Sequence, residues 1–465
     1  MTKVRRWYDW IPHPVVMLFG MLFLAALMSY IIPAGKFDRI NVDGKDRVVA
    51  GSYKVIQSDP LSMMDVFLAI PGGFKTAIDI IFIILASGIM FGFMERSGAV
   101  ENAVGTLVKH LGLRRRFIVV WIMTFVFGGL GIFVGYENNI AMVPVACVLS
   151  LAIGGDLMLA AGISVAAITV GFGLSPINFY TIGTGHKIAD LPIFSGWLLR
   201  SILCFSALSF LAFYNIRYFK SIISNPSNGL STGIDTSGFA LTHNIEAYKM
   251  RSMDKLVILS FLASLGIIVY GVFVHNWHIN HTSAVFCMLA IWIAIITRCS
   301  QADFGKTVLL SVGHVAPGAY MVGLATSIKV ALDMGNITDT IAHHLSSSLI
   351  GLPLTVSAVG MTLAQTFLNF IIPSGSGQAL ASLPVMIPVG EVIGLTRQTT
   401  VLAFQIGDGV SNLINPSLGG IVAMLAMCRI PFDRWLRFIF PLFGAILLIS
   451  IIFVIISVMI GYGPF

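Results

Sequence analysis

Charged residues are scarce in this sequence: 11% of its 465 residues are Asp, Glu, Lys or Arg, while 57% are hydrophobic. This composition excludes a soluble globular chain and predicts an all-α polytopic membrane protein. The net charge of +7 does not require a nucleic-acid partner, because most Lys and Arg residues lie at the ends of apolar runs. We therefore expect the lipid bilayer as a partner, and no nucleic acid.

Cysteine and metal-binding patterns are equally sparse. Three histidines, His275, His278 and His281, have a spacing that resembles a metal cluster, but they lie in a short loop between spans, which is typical of solvated side chains. Ser376, between Gly375 and Gly377, lies in no Gly-x-Ser-x-Gly frame, and no histidine lies in the matching helix break, so no catalytic residue is predicted and the protein is not expected to be an enzyme. We predict no metal site, no cofactor and no disulfide framework, because the five cysteines lack paired spacing. They are Cys147, Cys204, Cys287, Cys299 and Cys428.

The clearest interruption of the apolar sequence is the polar, glycine-rich stretch 373–378. The apolar arms on either side, 353–369 and 379–393, are each shorter than the roughly 20 residues that cross a bilayer core. A re-entrant helical hairpin over 353–393 is therefore predicted. Turn backbone inside a membrane is tolerated only where protein or a water-filled cavity satisfies it, so we expect this second tip to line a cavity.

A similar arrangement occurs earlier in the chain. A first hairpin is predicted over 117–153, with its polar tip at 135–139. Each hairpin is followed by a broken transmembrane helix, predicted at 157–185 and 398–428. The predicted organisation is a first transmembrane span and exterior loop (1–60), a first repeat (61–215), a cytoplasmic linker (216–254), scaffold spans (255–298) and a second repeat (299–465).

Proline positions relate the two halves. Pro144 and Pro384 follow the two tips, 240 residues apart. Pro176 and Pro416 interrupt the two broken helices at the same separation. This coincidence indicates an internal repeat. The distribution of Lys and Arg predicts a cytoplasmic N-terminus and an exterior C-terminus, and it makes the two repeats inverted, as in many secondary transporters.

The two tips and the two helix breaks contain no Lys or Arg, yet they are expected to converge on one site. Each tip begins a returning helix, whose free N–H groups and positive dipole end bind carboxylates without a basic side chain. Polar side chains of the tips and breaks would add hydrogen bonds. The predicted substrate-binding residues are Glu137, Asn138, Asn139, Ser374, Gly375, Ser376, Gly377, Gln378, Asn178 and Asn415.

Two carboxylates, Glu137 and Asp408, lie at the predicted depth of the membrane centre. Such a residue is a functional candidate by default, because an unpaired charge is unfavourable there. Each could bind Na⁺, carry a proton or pair with a cationic group of the substrate. The structural alternative is that each satisfies N–H groups at a broken helix end. The predicted residues for cation coupling are Glu137, Asp408, Ser175, Ser411 and Asn412.

The motifs at 373–378, 397–399, 405–409 and 412–416, with the early stretch 31–38, resemble the YfcC/DcuC-type carriers of the ion transporter superfamily. The resemblance covers nearly the whole chain. It implies an inverted-repeat fold with two re-entrant hairpins, a homodimer held by scaffold spans, and elevator-type alternating access. Members are described as C4-dicarboxylate carriers or basic amino-acid exchangers.

The first tip departs from that family pattern. Members often carry two adjacent glutamates there, whereas this chain has the single carboxylate Glu137 followed by Asn138 and Asn139. Fewer negative charges weaken the expectation of a doubly cationic substrate.

Together these features predict a secondary active transporter of small carboxylate-bearing metabolites in a bacterial inner membrane, which works either by coupling to Na⁺ or H⁺ or by exchange. An amino acid is favoured over a C4-dicarboxylate, because two carboxylates in the site repel a dianion unless cations screen them. An ion channel and an intramembrane enzyme are the alternatives from other classes.

Overall fold

The computed structural model describes residues 14–42, 45–49, 51–111, 115–239, 247–275, 277 and 279–463. Within these residues, eight helices are long and apolar enough to cross a membrane. The prediction of a polytopic helical membrane protein is therefore confirmed. The predicted cytoplasmic N-terminal segment 1–13 and His278 lie outside the described residues.

The N-terminal part combines helices with two small sheets. The helices are α1 (Pro14–Ile31), α2 (Met63–Thr76), α3 (Ile78–Ser97) and α4 (Ala99–Leu111). The strands are β1 (Gly35–Lys36), β2 (Arg39–Val42), β3 (Lys45–Val48) and β4 (Lys54–Val55). Strand β1 pairs with β4, and β2 with β3, both antiparallel. The prediction of an all-α protein is therefore wrong in this region. The four strands are short and charged, and they contain no apolar run from which they could be predicted.

The next part contains the first hairpin and a helix broken several times. The helices are α5 (Arg116–Val134), α6 (Val143–Ala152), α7 (Leu157–Ala161), α8 (Ala167–Gly173), α9 (Thr184–Ile188) and α10 (Trp197–Ser224). A 3₁₀ turn, Glu137–Met142, joins α5 to α6, and π-helical turns occupy Gly162–Ala166 and Phe179–Gly183. Helix α10 continues nine residues beyond the predicted linker boundary at 215.

After a short 3₁₀ turn, Pro226–Asn228, the secondary structure of the C-terminal part consists of helices, without a strand in the described residues. Its helices are α11 (Ser252–His275), α12 (Ile279–Ile296), α13 (Gln301–Met334), α14 (Thr338–Ser347), α15 (Leu354–Ile371), α16 (Gly375–Ile393), α17 (Arg397–Ser411), α18 (Gly419–Met427) and α19 (Phe432–Met459). The order of helix pair, broken helix and long helix thus occurs twice, in α5–α10 and in α15–α19.

The two broken helices cross at a pair of glycines. A methyl group built on Gly173 would lie 2.5 Å from the Cα atom of Gly409, and one built on Gly409 would lie 2.5 Å from the Cα atom of Gly173. No larger residue fits at this crossing without moving backbone. The close approach brings both helix breaks to the centre of the protein, next to the two tips.

The loops gather at two opposite ends of the helices. At one end, here called the sheet side, the Phe37 backbone N–H donates to Asp339 at 3.0 Å and attaches the strands to α14. At the other end, the linker side, Asp235 of the segment 225–239 forms a salt bridge of 2.8 Å with Arg429. The strands therefore lie on the same side of the protein as the start of α14, and the segment 225–239 lies on the same side as the end of α18.

Candidate functional site

A cleft of about 530 Å³ lies between the two hairpin tips. Part of its wall consists of sequence-predicted site residues: Glu137, Asn138, Ser374, Gly375, Ser376 and Asn412. The structure therefore brings six predicted residues from three separate segments to one cavity. The rest of the wall comes from Thr76, Asp79, Ile80, Gly135, Tyr136, Phe172, Ile279, Pro373 and Leu418.

The cleft opens toward the sheet side. Helix α3 ends on the linker side, where Gly238 packs directly on Glu95, and Arg96 pairs with Asp303 near the start of α13 at 2.9 Å. A short turn joins the end of α12 to this start, so the other end of α12, at Ile279, points to the sheet side. Because Ile279 belongs to the cleft wall, the mouth of the cleft faces that side.

The second tip presents the start of a long helix to the cleft. Helix α16 begins at Gly375, and Ser374 is its N-cap, with the hydroxyl accepting a hydrogen bond from the Gly377 N–H at 3.3 Å. The first N–H groups of an α-helix have no partner within the helix, and its dipole is positive at that end. This tip can therefore bind a carboxylate.

Asp408 lies directly behind the second tip. Its side chain is buried, and neither carboxylate oxygen has a hydrogen-bond partner among the described residues. A methyl group built on Gly375 would lie 3.1 Å from Asp408 Oδ2 and 2.5 Å from Thr181 Cγ2. The Thr181 hydroxyl is likewise buried and without a partner in the described part of the chain. A buried carboxylate without a partner is unfavourable, so this position calls for a cation or a proton.

Asn369 connects the second hairpin to the second helix break. Its Nδ2 donates to the carbonyl oxygen of Asp408 at 2.9 Å, to Ser411 Oγ at 2.8 Å and to Asn412 Oδ1 at 2.6 Å. Asn415 Nδ2 donates to the Asn369 carbonyl oxygen at 2.8 Å. The sequence analysis missed Asn369, although a buried amide five residues before Ser374 in an apolar arm is a usable signal.

The first tip is held by its own side chains. The Tyr136 hydroxyl lies 3.1 Å from Thr169 Oγ1, and Asn139 Nδ2 donates to the carbonyl oxygens of Gly135 at 2.5 Å and Leu130 at 3.2 Å. Asn139 thus satisfies the open carbonyl groups at the end of α5.

Glu137 reaches the cleft between the first tip and the start of α18. A methyl group built on Gly420 would lie 2.5 Å from Tyr136 Cε1 and 3.6 Å from Glu137 Cγ. The first tip thus packs tightly against the start of α18, and Glu137 belongs to the cleft wall.

Several predicted site residues point into the protein rather than into the cleft. Ser175 Oγ accepts a hydrogen bond from the Ile177 N–H at 3.2 Å. Asn178 Nδ2 donates to the Phe172 carbonyl oxygen at 3.2 Å. These bonds satisfy backbone groups at the first helix break, and unwound backbone of this kind is tolerated in a membrane only when it is satisfied.

The same holds in the second repeat. Gln378 Nε2 donates to the carbonyl oxygen and to Oε1 of Gln365, both at 2.8 Å, and so joins the two arms of the hairpin. Asn415 Oδ1 accepts from the Ser417 N–H at 3.0 Å. Ser411 Oγ donates to the Gly407 carbonyl oxygen at 2.5 Å.

Asp79 is a third carboxylate at the site, and the sequence analysis missed it. It is exposed in the wall of the cleft, where its Oδ1 accepts a hydrogen bond from Asn280 Nδ2 at 2.9 Å. The sequence does offer a signal for it, because Asp79 is an acidic residue near the start of an apolar run, 76–94.

The linker side is closed by a segment of the linker. Phe239 is buried, and its ring lies 4.7 Å from the guanidinium carbon of Arg429 and 6.3 Å from the ring of Phe91. Arg429 also pairs with Asp235, whose pKa is lowered chiefly by hydrogen bonds from Ser237. These contacts tie the linker to α3 and to the residues that follow α18.

A helical membrane protein in which two opposed hairpin tips and two broken helices enclose a polar cleft has the architecture of a membrane transporter. The chain belongs to the DcuC family, described as C4-dicarboxylate anaerobic carrier, whose family model matches residues 11–459. The resemblance identified from the motifs is confirmed.

Two bacterial relatives align over nearly their full lengths. The YfcC protein of Escherichia coli (strain K12), whose given name proposes a basic amino acid antiporter, is 28% identical over 499 aligned positions, which cover 98% of each chain. An uncharacterized protein of Haemophilus influenzae is 24% identical over 515 positions, again covering 98% of each chain. Among solved structures, the YdaH transporter of Alcanivorax borkumensis aligns over 97% of this chain and 99% of its own, with 15% identity and a TM-score of 0.45.

Proposed function

We propose that this protein is a secondary carrier for an amino acid, with basic amino acids favoured, and that the substrate binds in the cleft between the two tips. The observation that carries this proposal is the charge of the cleft. Glu137 and Asp79 belong to its wall, Asp408 lies behind it, and none of the described wall residues is Lys, Arg or His. A substrate with one or two cationic groups complements this charge.

The carboxylate of the substrate would bind at the second tip. The N-terminus of α16 offers free N–H groups, and the hydroxyls of Ser374 and Ser376 stand in the same wall. The ammonium group would then face Glu137 on the first tip, across the cleft. This arrangement uses both tips and requires no basic side chain.

Asp408 is our candidate for the coupling site. Its unpartnered carboxylate oxygens, behind Gly375, would bind Na⁺ or a proton. Occupation of this position would neutralise the charge directly beneath the second tip. Binding of the coupling ion and of the substrate carboxylate would therefore assist each other.

For alternating access, we assign the sheet side to the exterior and the linker side to the cytoplasm, which follows the positive-inside rule. The cleft is then outward-open, and Phe239 and Arg429 help to close the cytoplasmic side. The two repeats would be inverted and would move as one unit past the scaffold spans of a homodimer, in an elevator mechanism. The N-terminus would be cytoplasmic and the C-terminus exterior, in a bacterial inner membrane.

A C4-dicarboxylate is the second candidate substrate. The family description and the helix N-terminus at the second tip favour it. Its two negative charges would repel Glu137 and Asp79, so this substrate requires cations bound in the cleft. We therefore expect strict Na⁺ dependence for a dicarboxylate and a weaker dependence for a basic amino acid.

Thermal stability of the purified protein tests these proposals. A ligand that binds only the folded protein raises the melting temperature as its occupancy increases. The panel comprises arginine, lysine, ornithine, glutamate, succinate and fumarate, each in Na⁺ and in K⁺. We expect the largest shift with a basic amino acid. A shift confined to succinate or fumarate in Na⁺ would contradict the amino-acid proposal and support the dicarboxylate carrier.

A further inference from the structure

A second cavity, of about 430 Å³, lies on the sheet side and shares no wall residue with the cleft between the tips. Here it is called the outer pocket. Strands β1 and β2, helices α13 and α14 and the turn between these helices form its wall. The described wall residues are Gly35, Lys36, Arg39, Lys329, Asp333, Asn336, Thr338 and Asp339. Five of these eight residues are charged, and none of the five belongs to the proposed central site.

Two charged residues of the outer pocket, Asp339 and Arg39, pair with each other. Asp339 is buried, and its Oδ1 accepts a hydrogen bond from Arg39 Nη2 at 2.6 Å. Its Oδ2 accepts a hydrogen bond from the Phe37 N–H at 3.0 Å. Both oxygens of Asp339 are therefore engaged, and its charge is matched by Arg39. This pair positions the strands against α14, and three charged residues of the wall remain.

Those three residues are two lysines and one aspartate. Neither Lys36 nor Lys329 forms a salt bridge with a described residue, whereas Asp333 Oδ1 accepts one hydrogen bond, from the Thr338 hydroxyl at 3.1 Å. Two ammonium groups against one carboxylate leave the pocket with a net positive charge. Lys329 is half-buried in the wall, so a bound anion would be partly shielded from water, which strengthens the attraction.

The backbone around the pocket is held in place. The Gly35 N–H donates to the Asn336 carbonyl oxygen at 2.9 Å, and Asn336 has a positive φ of 54° in the turn between α13 and α14. The Tyr53 hydroxyl donates to Thr340 Oγ1 at 3.0 Å. The lysines are thus carried by elements that are hydrogen-bonded to one another, and these bonds fix the shape of the pocket.

We propose that the outer pocket is a docking site for a small carboxylate-bearing solute, which binds with its carboxylate between Lys36 and Lys329. An amino acid can also place its ammonium group against Asp333. Only the class of solute, a carboxylate-bearing metabolite, is taken from the proposed function. A positively charged pocket at the mouth side of a carrier would raise the local concentration of a carboxylate before it enters the cleft.

Acetylation of lysines by an N-hydroxysuccinimide ester, followed by mass spectrometry of the full-length protein, tests this site. Glutamate at millimolar concentration should slow acetylation of both Lys36 and Lys329 by about threefold, which corresponds to a ligand at twice its dissociation constant. Sodium chloride of equal ionic strength is the control solution. Lys306, an exposed lysine near the start of α13, is the control residue. Equal slowing at Lys306, or no slowing at the two pocket lysines, would overturn the proposal.

Three variants test the outer pocket and separate it from the central cleft. Lys329→Met should abolish the protection of Lys36 by glutamate, and unchanged protection would contradict a shared anion site. Asp408→Asn, which changes only the central site, should leave the protection of both lysines intact even where it lowers the thermal shift. Loss of protection in Asp408→Asn would show that glutamate acts through the central cleft and would refute an independent outer pocket. Succinate in place of glutamate should protect as well in Asp333→Asn as in the native protein, whereas glutamate should protect less.

Discussion

The two hairpin tips meet in one cleft but are built differently. The second tip starts a regular helix of 19 residues at Gly375. The first tip continues into a 3₁₀ turn of six residues, which begins at Glu137. Hydrogen bonds of Tyr136 and Asn139 hold this first turn in place. The first tip thus brings its own carboxylate to the cleft, while the second tip offers a helix N-terminus.

The two tips also differ in how well the buried polar groups around them are hydrogen-bonded. Buried oxygens without a described partner gather around the second tip and the helix break beside it: Asp408 Oδ1 and Oδ2, Thr181 Oγ1, Asn369 Oδ1 and Gln405 Oε1. Side chains near the first tip are largely satisfied by backbone groups. Unpaired buried oxygens are unfavourable unless a ligand completes them. The comparison therefore supports the proposal that the coupling ion binds at the second tip, and it leaves to the first tip the proposed contact between Glu137 and the ammonium group of the substrate.

The most severe test of this comparison is Asp408→Asn. We expect substrate uptake into proteoliposomes to fall by about 100-fold, because the amide can neither carry a proton nor neutralise a bound cation. The melting temperature should stay equal or rise, because the substitution removes an unpaired buried charge. Asp38→Asn, at an exposed ion pair of 3.1 Å with Lys54, is the control and should transport normally. Normal coupled uptake by Asp408→Asn would contradict the proposal that the coupling ion binds at Asp408, behind the second tip.

The second test is the space around Gly375. In Gly375→Ala the new methyl group meets Thr181 Cγ2 at 2.5 Å. Such overpacking typically costs about 2 kcal/mol, or roughly a 30-fold loss of uptake if it falls on the bound state.

Thr181→Ser removes that Cγ2 atom and retains the hydroxyl. The double variant Gly375→Ala/Thr181→Ser should therefore recover a substantial part of the uptake. A double variant no better than Gly375→Ala would show that the contact with Thr181 is not the cause of the loss.

The third test changes the charge of the first tip. Glu137→Gln should raise the half-saturation concentration for a basic amino acid by about tenfold, the size expected for loss of one charge-assisted hydrogen bond. Binding of succinate should strengthen or stay unchanged, because one repelling charge is gone. Isothermal titration of the two ligands makes this comparison. Equal losses for both ligands would mean that Glu137 supports the fold of the tip rather than recognising a cationic group.

The smallest effect is expected from Tyr136→Phe, which removes the hydroxyl that contacts Thr169. Stability to denaturant in detergent should fall by about 1 kcal/mol, with transport within about twofold of the native rate. Tyr214→Phe, which removes a hydrogen bond of 2.6 Å to the Phe438 carbonyl oxygen far from the tips, is the matched control. A large transport defect confined to Tyr136→Phe would mean that the Tyr136 hydroxyl takes part in transport rather than only holding the turn.

Much of the site could be predicted from the sequence because polar residues inside apolar runs are conspicuous. The two tips and Asp408 were found in this way. Asn369 and Asp79 were missed, since each is a single polar residue that does not interrupt an apolar arm. Their importance depends on which helix face meets the second break or the cleft, and packing between distant segments decides that.

The direction of a side chain was the least predictable property. Gln378 belongs to the second tip and Asn178 to the first helix break, yet they donate to Gln365 and to the Phe172 carbonyl oxygen. Their substrate-binding roles stay predictions. The β-strands near Lys36 escaped prediction for a related reason, since short strands form only where a partner strand and the end of α13 position them.

Counterflow in proteoliposomes tests the central claim most directly. Vesicles loaded with an excess of the unlabelled amino acid that gives the largest thermal shift are diluted into a trace of the labelled compound, at zero membrane potential. A secondary carrier with one alternating site predicts a transient accumulation of label above equilibrium, which Asp408→Asn should abolish or greatly reduce. Simple equilibration of label without an overshoot, together with a non-saturating current, would contradict a carrier and identify a channel.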